Sequence, residues 1–337
     1  MAKKIKVIQF GLGAMGSEMA KIVLKKRDLE LVGAIVRREE QNGKDIGELI
    51  GLKKKTGIKA YTNPKELYKK VKADIMLHAA VSYVPLVWKQ IMPAVESGIN
   101  VITIAEEMGY PYIKYPKICK EINKAAKRKG VRVLGSGINP GFAMDLLPVL
   151  ISGICEHVDS IKVTRVIDFL PFGQSIQNNI GIGMNESEFK KKIKEGKLPL
   201  HIGLPESGSM IAAALGWKID KFIETREPVI ASKHIHVPGY KHVPKGKVVG
   251  FNHRCFVYSK GKKVITLEEL GRVDPNEDYK NTIIINGKPR ITEIMNVPTG
   301  KITTTSHAVN LIPAVLKANP GLLTMLDLTP APALSLR

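Results

Sequence analysis

Short apolar runs alternate with helically spaced segments over the first 135 residues. "KIKVIQF", "LELVGAIV", "ADIMLHAA", "NVITIA" and "VRVLGSG" are apolar at nearly every position, so each predicts a strand covered on both faces. "IKAYTNP" reads as a shorter strand. "SEMAKIVLKK", "PKELYKKV", "VPLVWKQIMPAVESG" and "YPKICKEINKAAKRKG" carry helical spacing instead. Pro64 opens one of these helices, and Gly98 and Gly130 close two others. The alternation predicts a parallel sheet with helices on both sides and right-handed crossovers.

The texture changes near residue 140. "SIKVTRVIDF", "HIHVPGYKHV", "VVGFNHRCFVYS" and "KNTIIINGKPRI" alternate apolar and polar residues, the pattern of an antiparallel sheet with one covered face. "ESEFKKKIKEG" and "SGSMIAAALGW" are helices set among these strands. "TSHAVNLIPAVLKANPGLLTMLDL" is helical and then apolar after a Pro-Gly break. The expected division is 1–140, 141–300 and 301–337: a parallel α/β domain, an α+β domain with a mostly antiparallel sheet, and a helical end. A length of 337 residues suits two cores better than one.

Composition narrows the class. The chain is 44% hydrophobic, enough for folded domains, and no apolar run reaches the roughly 18 residues of a bilayer span. The start, "MAKKIKVIQF", goes directly into a strand pattern, so no signal peptide is expected. Cys119, Cys155 and Cys255 are far apart and odd in number, which argues for a reducing cytoplasm over a disulfide framework. The formal charge is +21, yet the lysines are interleaved with glutamates on helices and turns along the whole chain. Neither nucleic acid nor membrane is an expected partner.

"QFGLGAMGSEMA" sets Gly11, Gly13 and Gly16 in G-x-G-x-x-G between the first strand and the first helix. In that context the motif predicts a Rossmann-type, doubly wound dinucleotide site built on Gly11, Leu12, Gly13, Ala14, Met15 and Gly16. The first glycine permits the turn, the second admits a pyrophosphate and the third lets the helix approach the strand. At the end of the second strand, "AIVRREE" puts Val36 where an NAD site usually has an acid. The guanidinium groups of Arg37 and Arg38 suit a 2′-phosphate, so NADP is favoured over NAD. Glu39 or Glu40 is left within reach of a ribose, which keeps dual use open.

Ligands of open parallel sheets bind beyond the carboxyl ends of the strands. Ala79, Ala80 and Ser82 are small enough to wall a flat ring, and the amide of Asn139, before Pro140, is placed to hold a nicotinamide carboxamide. "VITIAEEMGYP" ends its strand on Glu106 and Glu107. A carboxylate cannot donate a proton at neutral pH without a raised pKa, but it can pair with a cationic nitrogen, accept its proton or direct a water. The acids therefore point to an amine or iminium substrate, with Glu107, further past the strand, preferred over Glu106. His234, His236 and His242 lack a spaced acid or Cys partner, so no metal is expected.

"FGLGAMGSEMA", "VITIAEEMGYP", "GSGINPGFAMDLLP", "TRVIDF", "HIGLPESGSMIAAALGW" and "HAVNLIPAVLKANPGLLTMLDL" together resemble the 2,4-diaminopentanoate dehydrogenases and the related native amine dehydrogenases. The likeness covers nearly the whole chain, and its nucleotide half also looks like dihydrodipicolinate reductase. The resemblance implies oxidative deamination of 2,4-diaminopentanoate to 2-amino-4-oxopentanoate and ammonia, a step of ornithine breakdown. It also implies NAD or NADP as cofactor, a homodimer, a terminal segment packed on the first domain, and pocket walls at Phe142, Met144, Ile167 and Phe172. Arg165, Lys233 and His201 are candidates to hold the amino acid end of such a substrate. The competing readings are a cyclic-imine reductase and a non-catalytic NAD(P)-binding sensor.

Overall fold

The computed structural model describes residues 3–170, 174–237, 242–273, 279–296 and 300–328. The chain divides into two compact units, Met1–Phe142 with Lys301–Arg337, and Ala143–Gly300. Strands β1 (Ile5–Phe10), β2 (Leu29–Ile35), β3 (Ala60–Tyr61), β4 (Ile75–His78), β5 (Asn100–Thr103) and β6 (Arg132–Gly135) belong to the first unit. Strands β7 (His157–Asp168), β8 (Lys221–Ile230), β9 (Val248–Ser259), β10 (Lys262–Arg272), β11 (Asn281–Lys288) and β12 (Ile291–Met295) form the second, and β13 (Gly321–Leu323) returns to the first. The helices are α1 (Ala14–Lys25), α2 (Ile46–Leu49), α3 (Pro64–Lys70), α4 (Val84–Glu96), α5 (Pro116–Lys129), α6 (Leu146–Ser152), α7 (Gln174–Asn179), α8 (Glu186–Lys194), α9 (Leu204–Ala214), α10 (Gly300–Asn310) and α11 (Ile312–Lys317).

The first unit is a seven-stranded sheet in the order β13-β6-β5-β4-β1-β2-β3, and its pairs are parallel. The carboxyl ends of β1, β4, β5 and β6 therefore share one edge, which gathers the four loops read above as a site. Val87 and Ile91 of α4 and Ile122 and Ala126 of α5 are buried in one cluster with Met76, Val101 and Val133 of the sheet. Each of the larger of these side chains contributes about 1.5–3 kcal/mol by leaving water. The ends of α5 follow from its sequence: Pro116 begins it, and Lys127, Arg128 and Lys129 lie in its last turn, where the backbone carbonyls carry partial negative charge. Gly130, at φ 68°, ends it.

The chain end adds a strand as well as helices. Where the pattern gave only an apolar stretch after a Pro-Gly break, Gly321–Leu323 pairs in parallel with β6. Leu322 N–H donates to Asn123 Oδ1 at 3.0 Å, and Tyr112 donates its hydroxyl to the Leu322 carbonyl at 2.8 Å.

The second unit is a six-stranded sheet in the order β12-β11-β7-β10-β9-β8, antiparallel except for the β7–β10 pair. β7, β9, β10 and β11 alternate buried with less buried residues along most of their length, whereas the edge strands β8 and β12 bury none. "HIHVPGYKHV" does not pair as a full strand: the described part holds a single bridge between Ile235 and Val243. Three strands that the pattern did not single out, β8, β10 and β12, complete the sheet.

Candidate active site

The glycine loop has the geometry the motif requires. Gly11 has φ +88°, and a Cβ there would sit 2.6 Å from the Ala79 carbonyl oxygen. A Cβ at Gly16 would be 2.0 Å from the Gly11 carbonyl oxygen, so helix and loop can meet only at glycine. Gly13 differs: a Cβ there meets nothing within 4 Å, which leaves room for a ligand against the backbone. Gly13 also precedes α1 with no side chain capping the helix, and Ala14 and Met15 begin its first turn with no acid among them. Those free N–H groups suit an anion. Gln9, buried in the strand before, donates from Nε2 to the Gly11 carbonyl at 3.2 Å and steadies the turn.

A cavity of about 680 Å³ opens from this loop. Gly11, Leu12 and Gly13 line it with Ala79 and Ala80 of the β4 loop and with Val36, Arg37 and Arg38 of the β2 end. Arg37 and Arg38 are exposed on its rim, and Glu39 lines it too. Glu39 accepts the Thr62 hydroxyl at 3.1 Å, so the acid nearest the ribose position has a partner within the protein. The residues present thus fit a dinucleotide: open backbone for a pyrophosphate, small residues on one wall, guanidinium groups at the far end.

The two acids after β5 fall on a short 3-10 helix, Glu106–Gly109, and part company there. Glu107 is 1% exposed. Its Oε2 accepts the Val84 N–H at 2.9 Å, the first residue of α4, and its Oε1 takes Lys114 Nζ and, at 3.1 Å, the Tyr115 hydroxyl. The Glu107 N–H donates to the Ser82 carbonyl at 3.3 Å. Glu107 thus joins the β5 loop to the β4 loop. Glu106 is half-buried, and among the described residues no hydrogen bond or ion pair holds its carboxylate. On the next loop, Asn139 is buried before Pro140, and a Cβ on Gly109 would lie 2.6 Å from Pro140 Cβ, so the β5 and β6 loops are packed on each other. Phe142 packs against the tilted ring of His307 of α10, ring centroids 5.2 Å apart.

In the second unit the buried face of the sheet carries a polar row. Asn281, Arg165, Glu269 and His253 come from four neighbouring strands at one register position, and none is more than 4% exposed. The row runs between two apolar clusters, one with Val163, Cys255 and Leu267, the other with Phe169 and Phe251. Met144 lies in the first cluster and Ile167 in the second; Phe172 falls outside the described residues. Burial pulls the Arg165 guanidinium down, while Glu269 and Asp145 oppose it, and an arginine so placed stays charged. Asp145 also caps α6 through the Leu146 N–H at 2.6 Å and accepts the Ser207 hydroxyl at 2.7 Å. His201 Nδ1 stands 3.2 Å from Glu269, whereas Lys233 is exposed. His236 and His242 face each other with Nδ1 atoms 3.1 Å apart, and among the described residues no group of three metal-ligating side chains forms. Among those residues, too, no helix is long and apolar enough to cross a membrane.

Sequence reasoning missed Gln9, His78, Gln90 and Glu269. The first two lie inside runs that read as plain apolar strand. For Glu269 the available signal was a charge on the inward phase of an alternating strand.

A parallel sheet with this glycine loop, and an acid pair one strand from its small-residue wall, defines a nicotinamide-dependent dehydrogenase. The comparisons are specific. The family of 2,4-diaminopentanoate dehydrogenase C-terminal domains matches residues 142–336, and that of the dihydrodipicolinate reductase N-terminus matches residues 5–102. A 2,4-diaminopentanoate dehydrogenase of Acetoanaerobium sticklandii is 39% identical over 333 residues, 97% of this chain and 94% of the relative. An amine dehydrogenase of Streptomyces virginiae is 23% identical over 98% of both chains. The solved amine dehydrogenase from Mycobacterium smegmatis superposes with a TM-score of 0.86, at 26% identity over 97% of both chains. The chain belongs to the 2,4-diaminopentanoate dehydrogenase family and is an NAD(P)-dependent amine dehydrogenase.

Proposed function

We propose that the enzyme deaminates 2,4-diaminopentanoate at C4, giving 2-amino-4-oxopentanoate and ammonia, with NADP preferred to NAD. Glu106 carries this reading: it is the acid at the β5 tip whose carboxylate is not spent on structure. The bound nicotinamide supplies the hydride acceptor. The chain does the rest. An ammonium cannot release hydride from its carbon, so the substrate nitrogen must first lose a proton, and the Glu106 carboxylate orients it and accepts that proton. After hydride leaves C4, Glu106 passes its proton to solvent and, a carboxylate again, directs a water to the iminium carbon. Water adds and gives a proton to Glu106, which returns it to the nitrogen; the C–N bond then breaks as the hydroxyl loses its proton to Glu106, leaving the ketone and ammonia. Holding these groups in a small dry space supplies much of the rate.

The preference for Glu106 revises the expectation that favoured Glu107. Reach past the strand end is not the deciding quantity, because the 3-10 turn folds Glu107 back under α4. Arg37 and Arg38 on the cavity rim support NADP. The 39% identity to a 2,4-diaminopentanoate dehydrogenase over 97% of this chain supports a diamino acid over a plain alkylamine. A homodimer acting in the cytoplasm on ornithine breakdown completes the proposal, on the strength of the family likeness.

The test is NADPH and NADH oxidation with 2-amino-4-oxopentanoate, with and without ammonia, beside a panel of small ketones. Ammonia-dependent oxidation confined to the amino-keto acid supports the proposal. Equal rates on plain ketones would make it a general amine dehydrogenase, and rates independent of ammonia would remove amine chemistry altogether.

A further inference from the structure

The last residue of β4 is a fully buried histidine beside the nucleotide cavity. His78 is 0% exposed and packs against Phe10 with ring centroids 5.0 Å apart. Burial lowers its imidazole to about 4, against the opposing pull of Gln90, so the ring is neutral at neutral pH. Both of its nitrogens are engaged: Nδ1 stands 2.8 Å from Thr103 Oγ1, and Nε2 stands 2.7 Å from Gln90 Oε1.

A neutral imidazole has one N–H, so one nitrogen donates and the other accepts. Thr103 decides which. Its oxygen already accepts the Ala105 N–H at 3.1 Å, and the partner its own hydroxyl proton meets is His78 Nδ1. Nδ1 is therefore the acceptor. Nε2 carries the proton and donates it to the oxygen of the Gln90 amide. This arrangement gives the Thr103 hydroxyl proton and the His78 ring proton an acceptor each, whereas a reversed amide would leave the Thr103 proton without one.

Gln90 lies on α4 and lines the cavity together with Val36, Arg37 and Thr62, on the side where ribose and adenine lie in such folds. With its oxygen tied to His78, the part of the amide left for the cavity is the NH2 group. We propose that Gln90 is a nucleotide-contact residue whose NH2 donates to an acceptor of the adenosine half of NAD(P), and that His78 is the positioning residue that fixes this end of the amide toward the ligand. The inference rests on the reading of this cavity as the dinucleotide site. It adds a polar reader to a wall that the sequence describes only by its glycines and arginines.

The experiment measures dissociation constants of the full-length apoenzyme for NADPH, adenosine 2′,5′-bisphosphate and nicotinamide mononucleotide, with thermal melting alongside. Gln90→Leu removes the amide, and Gln90→Glu keeps the acceptor for His78 while removing the donors. Both should weaken NADPH and adenosine bisphosphate by about tenfold, the scale of one ligand hydrogen bond, and leave the mononucleotide unchanged. His78→Leu should weaken the adenosine bisphosphate in the wild-type background and add nothing in Gln90→Leu. Nitrogen-15 spectra of the apoenzyme should show His78 protonated at Nε2. Wild-type affinity in both Gln90 variants, or an Nδ1-protonated His78, would overturn the proposal. Failure of the wild-type enzyme to bind NADPH at all would instead sink the dinucleotide reading on which it stands.

Discussion

The carboxylate of Glu107 accepts the backbone N–H of Val84 at 2.9 Å, so an acid delivered by one strand caps the helix that follows its neighbour. Lys114 and Tyr115 occupy its other oxygen. Glu107 thus ties two loops together, and among the described residues Glu106 beside it makes no such contact, which is why the proposal places the chemistry there.

Replacing Glu107 with Ala should destabilise the fold. The buried Val84 N–H loses its acceptor, and a charged hydrogen-bond set disappears from a water-free position. The expected loss is about 2–3 kcal/mol in urea unfolding, with turnover falling because the two loops loosen. Wild-type stability in this variant would show that the contact is incidental.

The glycine loop separates a structural role from a binding role. Gly13 has φ −70°, and its missing Cβ faces open space, so Gly13→Ala should melt like the wild type yet bind NADPH at least about tenfold more weakly. Gly16→Ala, whose Cβ would meet Gly11, should lower the melting temperature of the apoenzyme. Equal melting and equal affinity for both variants would remove the loop from cofactor binding.

Neutralising Arg37 and Arg38 together should weaken NADPH by about tenfold or more while leaving NADH nearly unchanged, because only the 2′-phosphate needs the planar forks. Equal losses for the two cofactors in a binding titration would refute a phosphate-reading role.

Stability should depend on pH in a definite window. Burial holds His78 and His307 down at about 4 from an ordinary 6.5. Between those values the unfolded chain binds protons that the folded chain refuses, so stability is full above about 6.5 and falls as pH drops toward 4. Each ring is worth ~3 kcal/mol over that span. Urea midpoints at pH 7, 5.5 and 4.5 should decline in order, and His78→Leu should flatten the slope. Midpoints that rise toward acid would contradict the burial of these rings.

The architecture was largely legible because both-face apolar strands, amphipathic helices and the G-x-G-x-x-G spacing agree with one another. What escaped has physical reasons. Edge strand β8, "KFIETREPVI", is mostly unburied and carries charges on both phases, so no alternation marks it. In β10 the inward phase runs Ile265, Leu267 and then Glu269, which breaks the apolar rhythm where the polar row crosses the sheet. β13 is three residues long and depends on β6 and Asn123 for its place. The roles of Glu106 and Glu107 were illegible for a different reason: adjacent residues on a 3-10 turn point apart, and only the packing says which one turns inward.

The most direct test is steady-state turnover of Glu106→Gln, measured with NADPH affinity and a thermal melt. The account predicts a fall in kcat by orders of magnitude with affinity and melting near those of the wild type, since the proposal gives this carboxylate the amine and among the described residues it holds no other group. Near-normal turnover would contradict it and return the chemistry to another group.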